Sequence, residues 1–285
     1  MLNIFTGTNT IQNVISIAEI YLINHNISSS KLNCEILLCE VLNISRLDLR
    51  INSHQILTNH QLEQFEHYIR RRANNEPLQY IIGFIEFYNM RLQINKYVFI
   101  PRPETEYLVS IIANADINPH KILDICTGSG CISFALYRLF NVKVEAIDIS
   151  FEAIELANDN KKKLGLENIN FINCSIEEYF ENEELEKYDL IVCNPPYVTS
   201  EDYAKLEAEL FFEPRIALTD GADGLTFYKL IAANIHRILS PSGGKLYFEC
   251  GINQAEEICN MYKSIGFKAQ IIQDFAKINR YICIY

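Results

Sequence analysis

The chain has 285 residues, 49% of them hydrophobic, and a formal net charge of −11. This length and apolar share point to one large or two ordinary globular domains and exclude a disordered chain. The acidic balance argues against a broad electrostatic grip on nucleic acid or an anionic membrane surface.

The opening segment, "MLNIFTGTNT", lacks the basic region and continuous apolar core of a leader peptide, and no later run is long enough to span a bilayer. A soluble cytoplasmic protein is expected. Nine cysteines are an odd number without a CxxC pair, and they fall mostly inside apolar runs such as "ILLCEVL" and "YICIY", as small buried hydrophobes do. Six scattered histidines offer no metal-ligand spacing, so no metal is expected.

Residues 1–75 carry helical patterns. "IQNVISIAEIYLINH" and "KLNCEILLCEVLNI" repeat apolar residues at intervals of three and four, and Thr58 with Gln61 forms a capping-box signature before "LEQFEHYIRRR". Arg70, Arg71 and Arg72 close that helix and read as its solvated end, since cations suit helix C-termini. Residues 76–103 form a linker in which "EFYNMRLQINKYVFI" alternates β-branched and aromatic with polar residues around a Tyr-Asn-Met turn, which predicts a β-hairpin. Pro101 and Pro103 punctuate its end.

From residue 104 to 285 strands and helices alternate. Strands are predicted at "KILDIC", "KVEAIDI", "INFINC", "DLIVCN" and "KLYFECG", the signal for a parallel, doubly wound α/β sheet. The final "KAQIIQDFAKINRYICIY" reads as two strands without an intervening helix, a terminal antiparallel hairpin at the sheet edge.

The first of these strands runs into "DICTGSGCISF", placing Gly128 and Gly130 in the turn entering a helix. Glycine there permits positive φ and lets a ligand approach backbone amides. Asp148, at the end of the next strand, is placed to accept hydrogen bonds from ribose hydroxyls. Together they specify a nucleoside-containing ligand. The loop lacks the third glycine of a dinucleotide fingerprint, which disfavours NAD. Asp124, at the start of the turn, is a carboxylate able to bind a cationic amino group, and S-adenosylmethionine carries one.

The fourth strand runs into "CNPPY", and the two prolines end its pairing. By the open-sheet rule this turn opens into the same crevice as the glycine loop. A planar NH₂ group is a poor nucleophile because its lone pair is delocalised. The Asn194 side-chain oxygen and the Pro195 carbonyl are suited to accept its two hydrogens, with Pro196 stiffening the turn and Tyr197 packing on the flat face.

At this point the sequence resembles the release-factor glutamine methyltransferases, the HemK/PrmC type of protein-(glutamine-N5) methyltransferase. "EPLQYIIGFIEFYNM", "FIPRPETE", "DICTGSGCIS", "NPPY", "FEPRIAL", "DGLTFY" and "FECGINQ" occur in that family's order. The resemblance implies a class I S-adenosylmethionine-dependent methyltransferase fold: a Rossmann-like, mostly parallel seven-stranded sheet with an antiparallel terminal strand. A small all-helical N-terminal domain would help dock the substrate. It implies methyl transfer from S-adenosyl-L-methionine, leaving S-adenosyl-L-homocysteine, to the glutamine side-chain nitrogen in the Gly-Gly-Gln motif of peptide chain release factors. No membrane partner and no stable nucleic-acid binding are expected.

Carried over by position, Cys126, Thr127, Gly128, Ser129 and Gly130 match the family's cofactor loop and Asp148 its ribose-binding acid. Asn194, Pro195, Pro196 and Tyr197 match its glutamine-binding turn, with Asn194, Pro195 and Tyr197 as the catalytic set and Asn194 also near the cofactor. Arg102, Pro103, Glu104 and Thr105 match the "PRPET" segment expected near the cofactor. Three departures stand out. Cys126 replaces a loop glycine, so the turn must tolerate a Cβ. Ser175 and Ile176 replace an Asp and an aromatic that would meet the adenine. "TDGADG" lacks the usual paired glycines.

Two other readings remain open on the residues alone. An adenine-N6 methyltransferase acting on DNA or RNA faces the same planar NH₂ problem, and a salt slope reporting several phosphate contacts would favour it. A non-catalytic protein would bind cofactor and partner only, and loss of methyl transfer in Asn194→Ala with cofactor binding retained would exclude it.

Overall fold

The structure, a computed structural model, describes residues 4, 5 and 8–285, so residues 1–3, 6 and 7 of "MLNIFTGTNT" lie outside it. The backbone divides into two compact units, one running to Phe84 and taking in Glu207–Phe212, the other holding Ile85–Leu206 and Glu213–Tyr285.

The first unit is helical: α1 (Ile11–Asn24), α2 (Ser30–Leu42), α3 (Arg46–Ile51), α4 (Asn59–Ala73) and α5 (Leu78–Ile82). The apolar stripes expected at three- and four-residue spacing supply its core, with Val14, Ala18, Leu22, Leu37, Phe65 and Ile69 all fully buried. The capping box forms as expected, with the Gln61 amide donating to Thr58 Oγ1 at 3.3 Å and the Thr58 amide donating to Gln61 Oε1 at 2.9 Å. Arg72 departs from the expected solvated helix end. It is 4% exposed and donates to Asn33 Oδ1 at 2.8 Å, the Glu76 carbonyl at 3.0 Å and Glu209 Oε2 at 2.5 Å. A buried guanidinium needs such partners, and they come from segments far apart in sequence. Arg70 and Arg71 stay partly exposed and pair with Glu66 and Glu76.

The hairpin consists of β1 (Phe84–Phe87) and β2 (Met90–Gln93) around Tyr88 and Asn89, whose φ of +46° and +57° suit a two-residue turn. Its second strand is shorter than the alternating pattern suggested; residues 94–102 run irregularly and Ile94, Val98 and Ile100 are buried outside any strand.

After α6 (Pro103–Ala113) come β3 (Lys121–Ile125), α7 (Cys131–Phe140), β4 (Lys143–Asp148), α8 (Phe151–Leu164), β5 (Ile169–Asn173), α9 (Ile176–Glu181) and β6 (Leu190–Cys193). Two short helices, α10 (Ser200–Tyr203) and α11 (Arg215–Leu218), precede α12 (Thr226–Ile238), β7 (Lys245–Glu249), α13 (Ala255–Ser264), β8 (Ala269–Gln273) and β9 (Asn279–Ile284). The seven-stranded sheet has the order β5-β4-β3-β6-β7-β9-β8. β9 is antiparallel to both of its neighbours, and the pairs from β5 to β7 are parallel, as expected. The last two strands form the expected hairpin, with β8 at the edge and β9 inserted beside β7.

β6 is buried at all four positions because helices cover both faces of a parallel sheet, and this is why "LIVC" is apolar without alternation. From β3 the chain proceeds outward to β4 and β5, then returns to lay β6 on the other side of β3. That reversal leaves a crevice beyond the carboxyl ends of β3 and β6, the usual place for a ligand in an open α/β sheet.

Candidate functional site

A cleft of about 240 Å³ opens at this switch point, within the second unit. The register explains its make-up. Ile125 lies opposite both Ile147 and Cys193, so the segments following β3, β4 and β6 leave the sheet side by side. Of the residues expected to form a site, Cys126, Thr127, Gly128 and Ser129 line the cleft from the first segment and Asp148 from the second. Ser175 and Ile176 line it after β5, Asn194 to Tyr197 after β6, and Thr105 from α6.

The loop after β3 is held by its own polar groups. Gly128 donates its amide to Asp148 Oδ2 at 2.8 Å and Ser150 donates to Asp148 Oδ1 at 2.9 Å, so the carboxylate is fixed while each oxygen keeps a lone pair for a further donor. Burial raises the Asp148 pKa, and the two backbone amides oppose that shift. Gly130 caps α7 at φ +83°, and a Cβ there would stand 2.7 Å from the Phe134 ring. Cys126 adopts φ +63°, so the loop does carry a Cβ in the left-handed region. Hydrogen bonding to Cys193 and burial hold its thiol well above the usual range, which disfavours the thiolate.

Some expected residues stand elsewhere. Asp124 is fully buried behind the loop, where its Oδ2 accepts from Thr127 Oγ1 and Ser133 Oγ, each at 2.7 Å. Burial pushes its carboxyl up to about 6, and its Oδ1 has no hydrogen-bond partner among the described residues. Asp124 thus shapes the loop from beneath instead of meeting the cleft. Arg102 pairs with the buried Glu213 and lies 4.9 Å from the Phe99 ring, because α6 starts there and turns the guanidinium toward "FEPRIAL". Pro103 takes the first helical position, where a missing amide costs nothing. The Glu104 carbonyl accepts from the Tyr281 hydroxyl at 2.8 Å. Ser175 lines the cleft but also caps α9, its Oγ accepting from the Glu178 amide at 3.1 Å; the "SIEE" pattern is a capping box legible in the sequence that the motif reading passed over.

The turn after β6 is clamped from outside. Gln254 Nε2 donates to the Tyr197 carbonyl at 2.9 Å, and Val198 donates to the Leu218 carbonyl at 2.9 Å. Asn194 Nδ2 donates to Thr105 Oγ1 at 3.2 Å. Among the described residues, no donor reaches the Asn194 side-chain oxygen or the Pro195 carbonyl. The turn therefore offers two uncommitted acceptors beside a cleft that also holds a fixed carboxylate and a backbone loop. Motif reading missed two supports of this turn, Gln254 and Glu249. Both lie in "FECGINQ", but nothing local marks them as partners of a turn more than fifty residues away. Glu249 is 1% exposed, receives the Thr105 hydroxyl at 2.9 Å and the Tyr197 hydroxyl at 3.4 Å, and burial pushes its carboxyl up to about 7.

Comparison with known proteins finds two matching family models. A family model for the PrmC N-terminal domain matches residues 13–83 and one for a methyltransferase domain matches residues 118–281. The release factor glutamine methyltransferase of Thermodesulfovibrio yellowstonii is 35% identical over 254 residues, covering 86% of this chain and 88% of that protein. The bifunctional methyltransferase of Rickettsia felis is 36% identical over 295 residues, with 92% of this chain matched; the chain spans only 55% of that longer relative. Among solved structures, a methyltransferase from Pyrococcus furiosus superposes with a TM-score of 0.51 at 16% identity, covering 68% of this chain and 87% of that one, a likeness of fold. The second unit has the class I methyltransferase fold.

Proposed function

The chain belongs to the release factor glutamine methyltransferase family, and on that premise we propose that it methylates the side-chain nitrogen of the glutamine in the Gly-Gly-Gln motif of peptide chain release factors, using S-adenosylmethionine. The observation that carries this reading is the pair of uncommitted acceptors, Asn194 Oδ1 and the Pro195 carbonyl, at the cleft shared with Asp148 and the 126–130 loop.

The residues present fit the methyl donor. Asp148 is a fixed carboxylate suited to ribose hydroxyls, Ile176 and Ile149 offer apolar cover for a flat base, and the Gly128 region offers close backbone approach. When bound, S-adenosylmethionine supplies an electrophilic methyl on a positively charged sulfur, and that sulfur departs as the neutral thioether of S-adenosylhomocysteine. The protein's task is to aim the nitrogen. Asn194 Oδ1 and the Pro195 carbonyl take the two amide hydrogens, which fixes the plane of the amide and leaves the nitrogen lone pair facing the methyl. As the new N–C bond forms, positive charge grows on nitrogen, and both acceptor dipoles point their negative ends at it. Such positioning and electrostatic effects together are worth several kcal/mol of barrier, on the order of 10³-fold or more in rate. The extra proton leaves the nitrogen afterwards, so no general base is needed before attack. Tyr197, at the end of the turn, bounds the amide's flat face. The helical unit is assigned the docking of the protein substrate, and a cytoplasmic location is consistent with the lack, among the described residues, of a helix long and apolar enough to cross a membrane.

The test is mass spectrometry of a purified release factor after incubation with this protein and S-adenosylmethionine. A single added methyl on the Gly-Gly-Gln glutamine, lost in Asn194→Ala, is expected. Methyl found instead on adenine in a parallel nucleic-acid reaction would assign the turn to the other planar amine.

A further inference from the structure

Asn194 helps the reaction only if its side-chain amide is the right way round. Its two ends are nearly the same size, and rotating it by half a turn would present NH₂ to the substrate's own NH₂, where neither can accept. The local turn does not choose between the two orientations. The choice is made one and two hydrogen bonds away. Asn194 Nδ2 donates to Thr105 Oγ1 at 3.2 Å, and Thr105 Oγ1 donates to Glu249 Oε2 at 2.9 Å. A hydroxyl has one proton, and an ionised carboxylate can only accept. With its proton committed to Glu249, Thr105 must accept from Asn194, and Asn194 must turn its NH₂ inward and its oxygen outward.

We propose that Glu249 is a positioning residue for this reaction: acting through Thr105, its ionised carboxylate fixes the Asn194 side chain with the oxygen toward the cleft. The inference rests on the reading that Asn194 accepts from the substrate amide, and it adds the group that sets that polarity. A protonated Glu249 could donate to Thr105, freeing the Thr105 proton to meet Asn194 Oδ1 and allowing the flipped, unproductive amide. The same carboxylate takes the Tyr197 hydroxyl on its other oxygen at 3.4 Å, so it ties both ends of the Asn194–Tyr197 turn to one buried charge.

That charge has a mixed surrounding. From β9 the Arg280 guanidinium favours ionisation and the Tyr281 hydroxyl lies near; from α6 Glu104 disfavours it. Cys131 on α7, Tyr228 on α12, Cys250 at the strand end and Tyr197 in the turn are further titratable neighbours, all neutral at ordinary pH, and Asp274 pairs with Arg280 at 3.4 Å. Burial outweighs Arg280 and pushes the Glu249 carboxyl up to about 7. The active polarity is therefore gained as pH rises through neutrality.

The experiment measures kcat and KM for release-factor methylation from about pH 5.5 to 9 in the full chain and in Glu249→Gln, Thr105→Val and Thr105→Ser. Wild-type kcat is expected to rise with pH to a plateau. Glu249→Gln and Thr105→Val should lower plateau kcat by roughly 10- to 100-fold, the scale of a misplaced reacting group, and lose the acid limb. S-adenosylmethionine affinity should change little. Thr105→Ser, which keeps the hydroxyl, should keep most of the rate and the limb. A second readout needs no substrate: the Asn194 side-chain ¹⁵N amide signal, assigned by its loss in Asn194→Ala. It should shift with pH near neutrality in the wild type and stay fixed in Glu249→Gln and Thr105→Val. Glu249→Gln within twofold of wild type with its acid limb intact would overturn the proposal. So would an Asn194 signal that ignores pH. A wild type that methylates no release factor but shows the linked Asn194 titration would instead refute the assigned substrate and leave the relay standing.

Discussion

Gly224→Ala should loosen the Asn194–Tyr197 turn from a distance of thirty residues in sequence. Gly224 sits at φ +77°, and a Cβ built there lies 2.3 Å from the Tyr197 carbonyl oxygen and 2.5 Å from Gln254 Nε2. Neither neighbour is free to yield, since Gln254 Nε2 already donates to that carbonyl at 2.9 Å. The loop carrying Gly224 cannot retreat easily either. Asp220 accepts from the amides of Ala222, Gly224 and Thr226 and from the Thr226 hydroxyl, which folds residues 220–226 around one carboxylate. Two terms add. A non-glycine residue in the left-handed region costs about 1–2 kcal/mol, and forcing an extra methyl into a packed site about 1–3 kcal/mol, together about 2–5 kcal/mol. Gly221→Ala separates them: Gly221 has φ +74° with nothing among the described residues within 4 Å of its Cβ, so only the backbone term applies there. Urea unfolding of the two variants should show Gly224→Ala less stable than Gly221→Ala by about 1–3 kcal/mol at unchanged m. Displacement of the Tyr197 carbonyl should also lower kcat by roughly 100-fold in Gly224→Ala, while Gly221→Ala keeps wild-type kcat. Equal stability of the two variants, with equal kcat, would refute the close approach and with it the idea that this loop holds the turn in place.

Two further outcomes follow from strained or buried groups. Cys126 stands at φ +63°, so Cys126→Gly should unfold no earlier than the parent, whereas a β-branched Cys126→Val should lose about 2 kcal/mol or more in thermal or urea unfolding; three equal stabilities would exclude strain at this position. Glu249 has a folded pKa of about 7 against an ordinary 4.5, so the folded chain binds its proton more tightly than the unfolded chain does. Its contribution to stability is therefore greatest below about pH 4.5 and falls by about 3 kcal/mol as pH rises to about 7. The difference in unfolding free energy between wild type and Glu249→Gln should follow that decline, and a difference independent of pH would show that the carboxyl is not buried as described.

The order of helices and strands was legible because each depends on neighbours a few residues away. Apolar spacing set α1, α2 and α4, proline ended β6, and the glycine turn after β3 carried its own conformational demand. The Asn-Pro-Pro-Tyr turn and Asp148 could be placed at one crevice because parallel strands share a direction. What each polar atom touches was not legible, since partners are set by strand order and by which helix crosses a strand end. Asp124 lies in the same short segment as the glycine loop after β3, yet the pleat of β3 turns it away from the cleft. Arg72 looks like a helix-end cation but finds Glu209, 137 residues on. Thr105, Asn194 and Glu249 meet from positions 89 and 144 residues apart because β7 lies beside β6 and α6 supplies Thr105. The sequence by itself thus determined which chemical groups the protein carries and which strand ends present them. Only the tertiary structure decided which way the Asn194 amide faces, because that depends on a single proton passed between residues that no local pattern connects.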